Sequence, residues 1–192
     1  MGLFSKEPTS YFPVSTGRRM DHSTFRIPHD LPADATLLIV AFQDSLDPLS
    51  DQWARLGSRL ADAHDGRFAV LETPIVSAAF KHLGGLGTIG VRHQIDSEDE
   101  RDRTVPLFVD TKRFRKVLRL DASDVTALLV ARDGRIAWRG DGEIDMEEIA
   151  ALEAAIEDVL GAPTPPYTDH PDVSDESPPA DSSPAVDSDP VP

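Results

Sequence analysis

The chain has 192 residues, 40% hydrophobic and 28% charged, a length that suits one domain with terminal extensions. Against 19 basic residues stand 34 acidic ones, a formal net charge of -15, and this argues against general binding to nucleic acid or anionic membranes. Cysteine is absent, which excludes disulfides, thiolate nucleophiles and Cys-ligated metals.

Residues 1–24 mix Ser, Thr, Pro and charge without a clear period, and a flexible N-terminal arm is expected there. Met1–Lys6 has no apolar stretch behind it, and Lys6 stands where a myristoylation motif wants Ser or Thr. No run approaches the ~20 apolar residues of a membrane helix. The expectation is a cytoplasmic protein without stable membrane insertion.

Phe25-Arg26-Ile27 reads as a short edge strand, with a turn at Leu31–Asp34. Thr36–Phe42 is a continuous apolar run, the pattern of a strand buried on both faces. Gln43-Asp44-Ser45-Leu46 is a polar loop. Asp47-Pro48 then starts a helix, since Asp47 accepts from free N–H groups and Pro48 has no donor to waste. Leu49, Trp53, Leu56 and Leu60 fall on one face of that helix, which should end near His64-Asp65, before Gly66.

Arg67–Glu72 is a second strand, closed by Thr73-Pro74, so that strand, helix and strand make a βαβ unit. A short helical pattern runs from Val76 to Leu83. Thr104–Val109 reads as a third strand, which Pro106 demotes towards an edge. Asp110-Thr111 caps a helix over 112–119, with Phe114, Val117 and Leu118 inward and Lys112, Arg115, Lys116 and Arg119 on the other face.

Two apolar runs, Thr126–Ala131 and Ile136–Trp138, flank Asp133-Gly134, which predicts a hairpin with a type I′ turn and positive φ at both central residues. Beyond Gly142 the period lengthens to about 3.6. Asp145 with Glu148 makes a capping box, Ile149, Leu152, Ile156, Val159 and Leu160 form the buried stripe, and Gly161 with Pro163 stops the helix. From Ala162 the chain is Pro, Asp, Ser and Thr, with seven carboxylates and no Lys or Arg. It buries too little to offset its ordering entropy, so a disordered tail over 162–192 is expected. Subtracting those seven charges from -15 leaves -8 for the rest. The Asp-rich, Lys-poor balance also resembles proteins of salt-accumulating halophiles.

The order of elements and the hairpin Leu128–Ile136 resemble the thioredoxin-like superfamily in its peroxiredoxin-sized form. Gly87–Arg92, Arg103-Thr104, Phe108–Asp110 and Ile136–Trp138 are similar to a narrower, cysteine-free branch. It comprises bacterial and archaeal relatives of the mitochondrial ATP synthase assembly factor family. The resemblance implies an α/β fold over residues 25–161, a mixed sheet flanked by helices, with a C-terminal antiparallel hairpin and final helix. It also implies where redox relatives keep their chemistry. Their Cys sits after the first strand, where this chain has Gln43-Asp44-Ser45. Their cis-proline precedes the hairpin, where this chain has Val125. Both halves of the redox site are missing.

What remains is a vestigial cleft formed by Gln43, Asp44, Ser45, Arg92 and Val125, read as a protein-binding surface with no cofactor and no metal implied. An enzyme using non-thiol chemistry in the same cleft is the alternative. Gly85–Gly90 is a literal G-x-G-x-x-G, but no strand precedes it and no helix opens from it. Ser45, Asp44 and His64, His82 or His93 make a hydrolase triad only on paper. Asp44 with Asp47 makes a cation site only on paper, since carboxylates in a turn are usually caps. Lys112, Arg115, Lys116 and Arg119 form either a patch for an anion or acidic partner or a solvated helix face that balances an acidic protein, and the acidic tail could also fold back onto it.

Overall fold

The structure, a computed structural model, describes residues 10–42, 47–80 and 98–162. The elements in chain order are β1 (Ser15–Arg18), β2 (Thr24–Ile27), β3 (Ala35–Ala41), α1 (Asp47–Ala61), β4 (Phe68–Ser77), α2 (Glu98–Arg103), β5 (Leu107–Val109), α3 (Thr111–Leu118), β6 (Thr126–Ala131), β7 (Ile136–Asp141) and α4 (Met146–Gly161). Seven strands form one sheet in the order β2-β1-β5-β4-β3-β6-β7. The strands β3, β4 and β5 are mutually parallel, while β1, β2, β6 and β7 join by antiparallel pairing.

The apolar run at β3 is buried on both faces, as its composition predicts. Leu37 and Ile39 point to one core with Trp53 of α1 and Leu152 and Ile156 of α4. Leu38 and Val40 point to the other, with Phe114 and Leu118 of α3 and Phe12 from the N-terminal segment. The hairpin strand β6 alternates in the same way, Ala127 and Leu129 against Leu128 and Val130. The result is three layers: α1 and α4, the sheet, then α3 with the N-terminal segment.

Four expectations need correction. The first is the loose arm over 1–24. From Ser10 onward it is built into the fold: Tyr11 bridges to Arg135, Phe12 is fully buried edge-on against Phe114 with centroids 5.7 Å apart, and β1 pairs both β2 and β5. The burying residues of β1 are Ser15 and Gly17, small types that carry no hydrophobic signal. The second is the end of the strand at Pro74. β4 runs ten residues through it, because Pro74 is the last residue paired with β3 and Ile75 the first paired with β5. A residue at that handover can lack an N–H. A 3₁₀ turn, Ala78–Phe80, then stands where the start of a helix was expected.

Third, β5 is no edge strand. It lies between β1 and β4, and Pro106 stands just before it with its carbonyl accepting from Arg18 N at 3.1 Å. Fourth, the Asp-Gly turn is not type I′. Gly134 has φ +87°, but Asp133 stays outside the left-handed region and its Oδ1 accepts from Arg135 N at 3.0 Å. The bulge between Leu129 and Val130 adjusts the register instead.

Gly17 sits opposite Leu107, where a Cβ would lie 2.7 Å from Val105 Cγ1 and 2.8 Å from the Pro106 carbonyl oxygen. A backbone oxygen cannot swing aside. Gly17→Ala is therefore expected to cost about 1–3 kcal/mol and lower Tm by about 4–10 °C in a thermal melt. A melt unchanged within a degree would mean that β1 does not pack on β5.

Candidate functional site

The parallel strands β3, β4 and β5 end on one side of the sheet, where β6 begins and β7 ends. Sheets of this kind bind ligands beyond their carboxyl ends. Of the five residues expected to line the cleft, Gln43, Asp44, Ser45 and Arg92 lie outside the described residues. The glycine run Gly85–Gly90 lies outside them too.

Val125 is described and wholly buried, immediately before β6. Its N–H donates to Asp124 Oδ1 at 2.8 Å, and its carbonyl accepts from Gly142 N at 2.9 Å. The Gly142 carbonyl accepts in turn from Trp53 Nε1 at 2.9 Å. The indole thus ties α1 to both ends of the hairpin, and it does so two turns into the helix that follows the 43–46 loop. The cis peptide seen among the described residues, Ile27–Pro28, lies after β2, on the edge strand remote from this point.

Beside Val125 stands a polar network. Arg139 donates from Nε to Asp141 Oδ2 at 2.7 Å and from Nη2 to Oδ1 at 2.9 Å. It also reaches the last carbonyls of α3, Leu118 O at 2.8 Å and Arg119 O at 3.1 Å. Thr126 Oγ1 donates to Asp141 Oδ1 at 2.6 Å. Partial burial raises the Asp141 carboxyl, but the bonds from Arg139 and Thr126 outweigh it and hold the group below its ordinary value. A permanently charged carboxylate tied to a guanidinium is an anchor for the helix end. It has no proton to exchange near neutral pH.

The basic residues of the expected patch are where the helical period puts them. Lys112, Arg115, Lys116 and Arg119 are exposed, while Phe114 and Leu118 are buried. Asp110 caps α3, its carboxylate accepting from Lys112 N and Arg113 N at 3.0 Å each. Arg115 leans over the Phe42 ring at 5.9 Å, which places one side of the patch against the end of β3.

One group escaped the sequence reading. Glu72, in β4, has a side chain only 10% exposed, and it meets Arg103 Nε of α2 at 2.6 Å. Burial pushes its carboxyl above the ordinary value, against the bond and charge of Arg103, with the charge of Asp51 in α1 adding to the rise. A single acid inside the strand Phe68–Glu72, followed by a charged helix able to supply a counterion, was the available signal. A cavity of about 270 Å³ opens beside this pair, lined by Arg19, Val70, Leu71, Asp99, Asp102 and Arg103. Leu71 faces the α3-side core and Val70 the α1-side core, so the opening lies at the bare flank of β4 below β5, away from Val125.

Of the paper triad, Ser45 and Asp44 lie outside the described residues, and His64 is described. That residue follows the far end of α1, whose 15 residues span ~22 Å, and its Nδ1 lies 3.9 Å from Glu157 of α4. His82 and His93 lie outside the described residues, as does Asp44 of the cation site. Among the described residues no three His, Asp or Glu side chains gather closely enough to hold a metal ion. None of the described helices is long and apolar enough to cross a membrane.

Several solved structures share this architecture. BsSco, a member of the Sco family of cytochrome c oxidase assembly proteins, is 12% identical with a TM-score of 0.54, over 83% of this chain and 99% of that one. A SCO1/SenC family lipoprotein of Bacillus anthracis is 11% identical with a TM-score of 0.55, over 81% and 98%. A protein of Chlorobium tepidum assigned as the thiol:disulfide interchange protein DsbE is 15% identical with a TM-score of 0.53, over 82% and 100%. No protein-family profile and no curated protein sequence matches the chain. The fold is thioredoxin-like, a mixed α/β sheet flanked by helices, and at these identities the likeness speaks for the fold alone.

Proposed function

We propose that the chain is a redox-inactive thioredoxin-like domain that works as a protein-binding or assembly module. One observation carries the reading: the fold is thioredoxin-like, yet the chain contains no cysteine with which to form a sulfenate or a mixed disulfide. The proposed binding surface comprises Gln43, Asp44, Ser45, Arg92 and Val125, of which Val125 is among the described residues. BsSco belongs to a family described as assembly proteins, which supports an assembly role at the level of shared architecture. The narrower likeness to the ATP synthase assembly factor family rests on Gly87–Arg92, Arg103-Thr104, Phe108–Asp110 and Ile136–Trp138 of the sequence. The enzymatic alternative, non-thiol chemistry in the same cleft, would need a buried, perturbed carboxylate or His near Ser45; the buried Glu72, paired with Arg103, lies away from Val125.

The test places a photo-crosslinking residue at Ser45, Arg92 or, as a control, the exposed Glu153 of α4, in cells of the native organism. The expected result is one protein captured from positions 45 and 92 and not from 153. Peroxide or disulfide turnover by the metal-free purified protein would overturn the reading, as would equal capture from all three positions.

A further inference from the structure

We infer that the exposed cationic face of α3 is the docking site for this chain's own acidic C-terminal segment, residues 163–192. Phe114 and Leu118 anchor the helix in the core and turn Lys112, Arg113, Arg115 and Lys116 outward, and Arg119 follows at its C-terminal cap. The helix carries no carboxylate of its own. Five arginines elsewhere are matched to carboxylates: Arg26 to Asp30, Arg67 and Arg132 to Asp34, Arg103 to Glu72, Arg139 to Asp141. Among the described residues no carboxylate ion-pairs with Lys112, Lys116 or Arg119. The two acids nearest in sequence are engaged locally, Asp110 with the N-terminus of α3 and Asp121 with Ser123 and, more weakly, the charge of Arg115. Arg115 donates to the Leu120 carbonyl at 3.4 Å and keeps its charge. In a chain of net charge -15, Lys112, Lys116 and Arg119 thus concentrate positive charge on one helix with no ion-paired carboxylate among the described residues.

The segment beyond α4 supplies one. It carries Asp169, Asp172, Asp175, Glu176, Asp181, Asp187 and Asp189, with no Lys or Arg. It leaves α4 where the Leu160 carbonyl accepts from Arg67 just before β4, on the face of the sheet opposite α3. The path around the sheet is short for it. A domain of this size has a radius of gyration of about 15 Å, and the chain from 162 to 189 spans up to ~90 Å when extended. Tethering gives the segment an effective concentration of about millimolar at the basic face. A nucleic acid or an anionic membrane would instead meet the -8 of the remaining chain and be repelled.

The test uses the full chain and its four lysines, Lys6, Lys81, Lys112 and Lys116. A zero-length carbodiimide joins a lysine to a carboxylate that it touches, and mass spectrometry maps the pair. The expected result in dilute buffer is linkage of Lys112 and Lys116 to the carboxylates of 169–189, well above linkage of Lys6 and Lys81. It should fall about fivefold or more in 1 M KCl, where the Debye length shrinks to ~3 Å. Mixing unlabelled with ¹⁵N-labelled protein separates links within one chain from links between chains. Uniform labelling of all four lysines, links only between chains, or none from 112 and 116 would each overturn the inference. As an independent readout, small-angle scattering in dilute buffer should give a larger radius of gyration for Lys112→Glu/Lys116→Glu than for the unmodified protein. Equal radii would also overturn it.

Discussion

Trp53→Ala is expected to lower stability by about 3–5 kcal/mol, a large share of the 5–15 kcal/mol that typically holds a domain together. The indole is fully buried between α1 and the sheet, with Trp138 at 5.8 Å and the Gly142 carbonyl on its Nε1. Truncation removes all of that packing at once and leaves the Gly142 carbonyl without its partner. Trp53→Phe keeps most of the bulk and loses the bond, so about 1–2 kcal/mol is expected. Urea unfolding with an unchanged m-value would measure both. A cost under 1 kcal/mol for the alanine variant would mean that α1 is not docked as described. The consequence reaches the cleft, because Gly142 N also holds the Val125 carbonyl. Releasing the indole loosens α1, the helix that follows residues 43–46 in the sequence, together with the start of β6.

What the sequence made legible follows from signal strength. Leu37–Val40 and Ala127–Val130 bury alternate side chains in opposite cores, so each strand reads as an unbroken apolar run. Asp110 and Asp145 cap their helices as expected, because an Asx side chain ahead of an amphipathic run has few better uses. β1 was not legible. Ser15 and Gly17 are buried because β5 and β2 approach closely, and small residues permit that approach without advertising it. Pro74 misled because proline usually ends a strand, and only the exchange of partners from β3 to β5 makes it harmless there. At the site, the basic face of α3 was readable from the helical period. The Arg139–Asp141–Thr126 network was not, since Arg139 joins β7 to the carbonyl end of α3 across 20 residues of sequence.

Arg103→Met is expected to cost about 3 kcal/mol at neutral pH and progressively less as the pH falls. Its cause is Glu72, whose carboxylate would remain buried near the charges of Asp51 of α1 and Glu100 of α2 with no counterion. Burial already raises this carboxyl above its ordinary value near 4.5, and Arg103 is the group that restrains the rise. A carboxyl whose pKa is higher in the folded state gives stability that is fully present below the unfolded value. That stability is lost as pH rises through the folded value. Without Arg103 the folded value climbs further, so the loss grows and its window extends upward. The gap between variant and unmodified protein should therefore be widest at pH 7–8 and close towards pH 4. Glu72→Gln, which carries no charge to strand, should stay within about 1 kcal/mol of the unmodified protein, and Glu72→Gln/Arg103→Met should recover most of the loss. Urea unfolding of the full chain from pH 4 to 8 decides it. A constant gap at every pH would show that solvent from the neighbouring cavity already reaches the carboxylate.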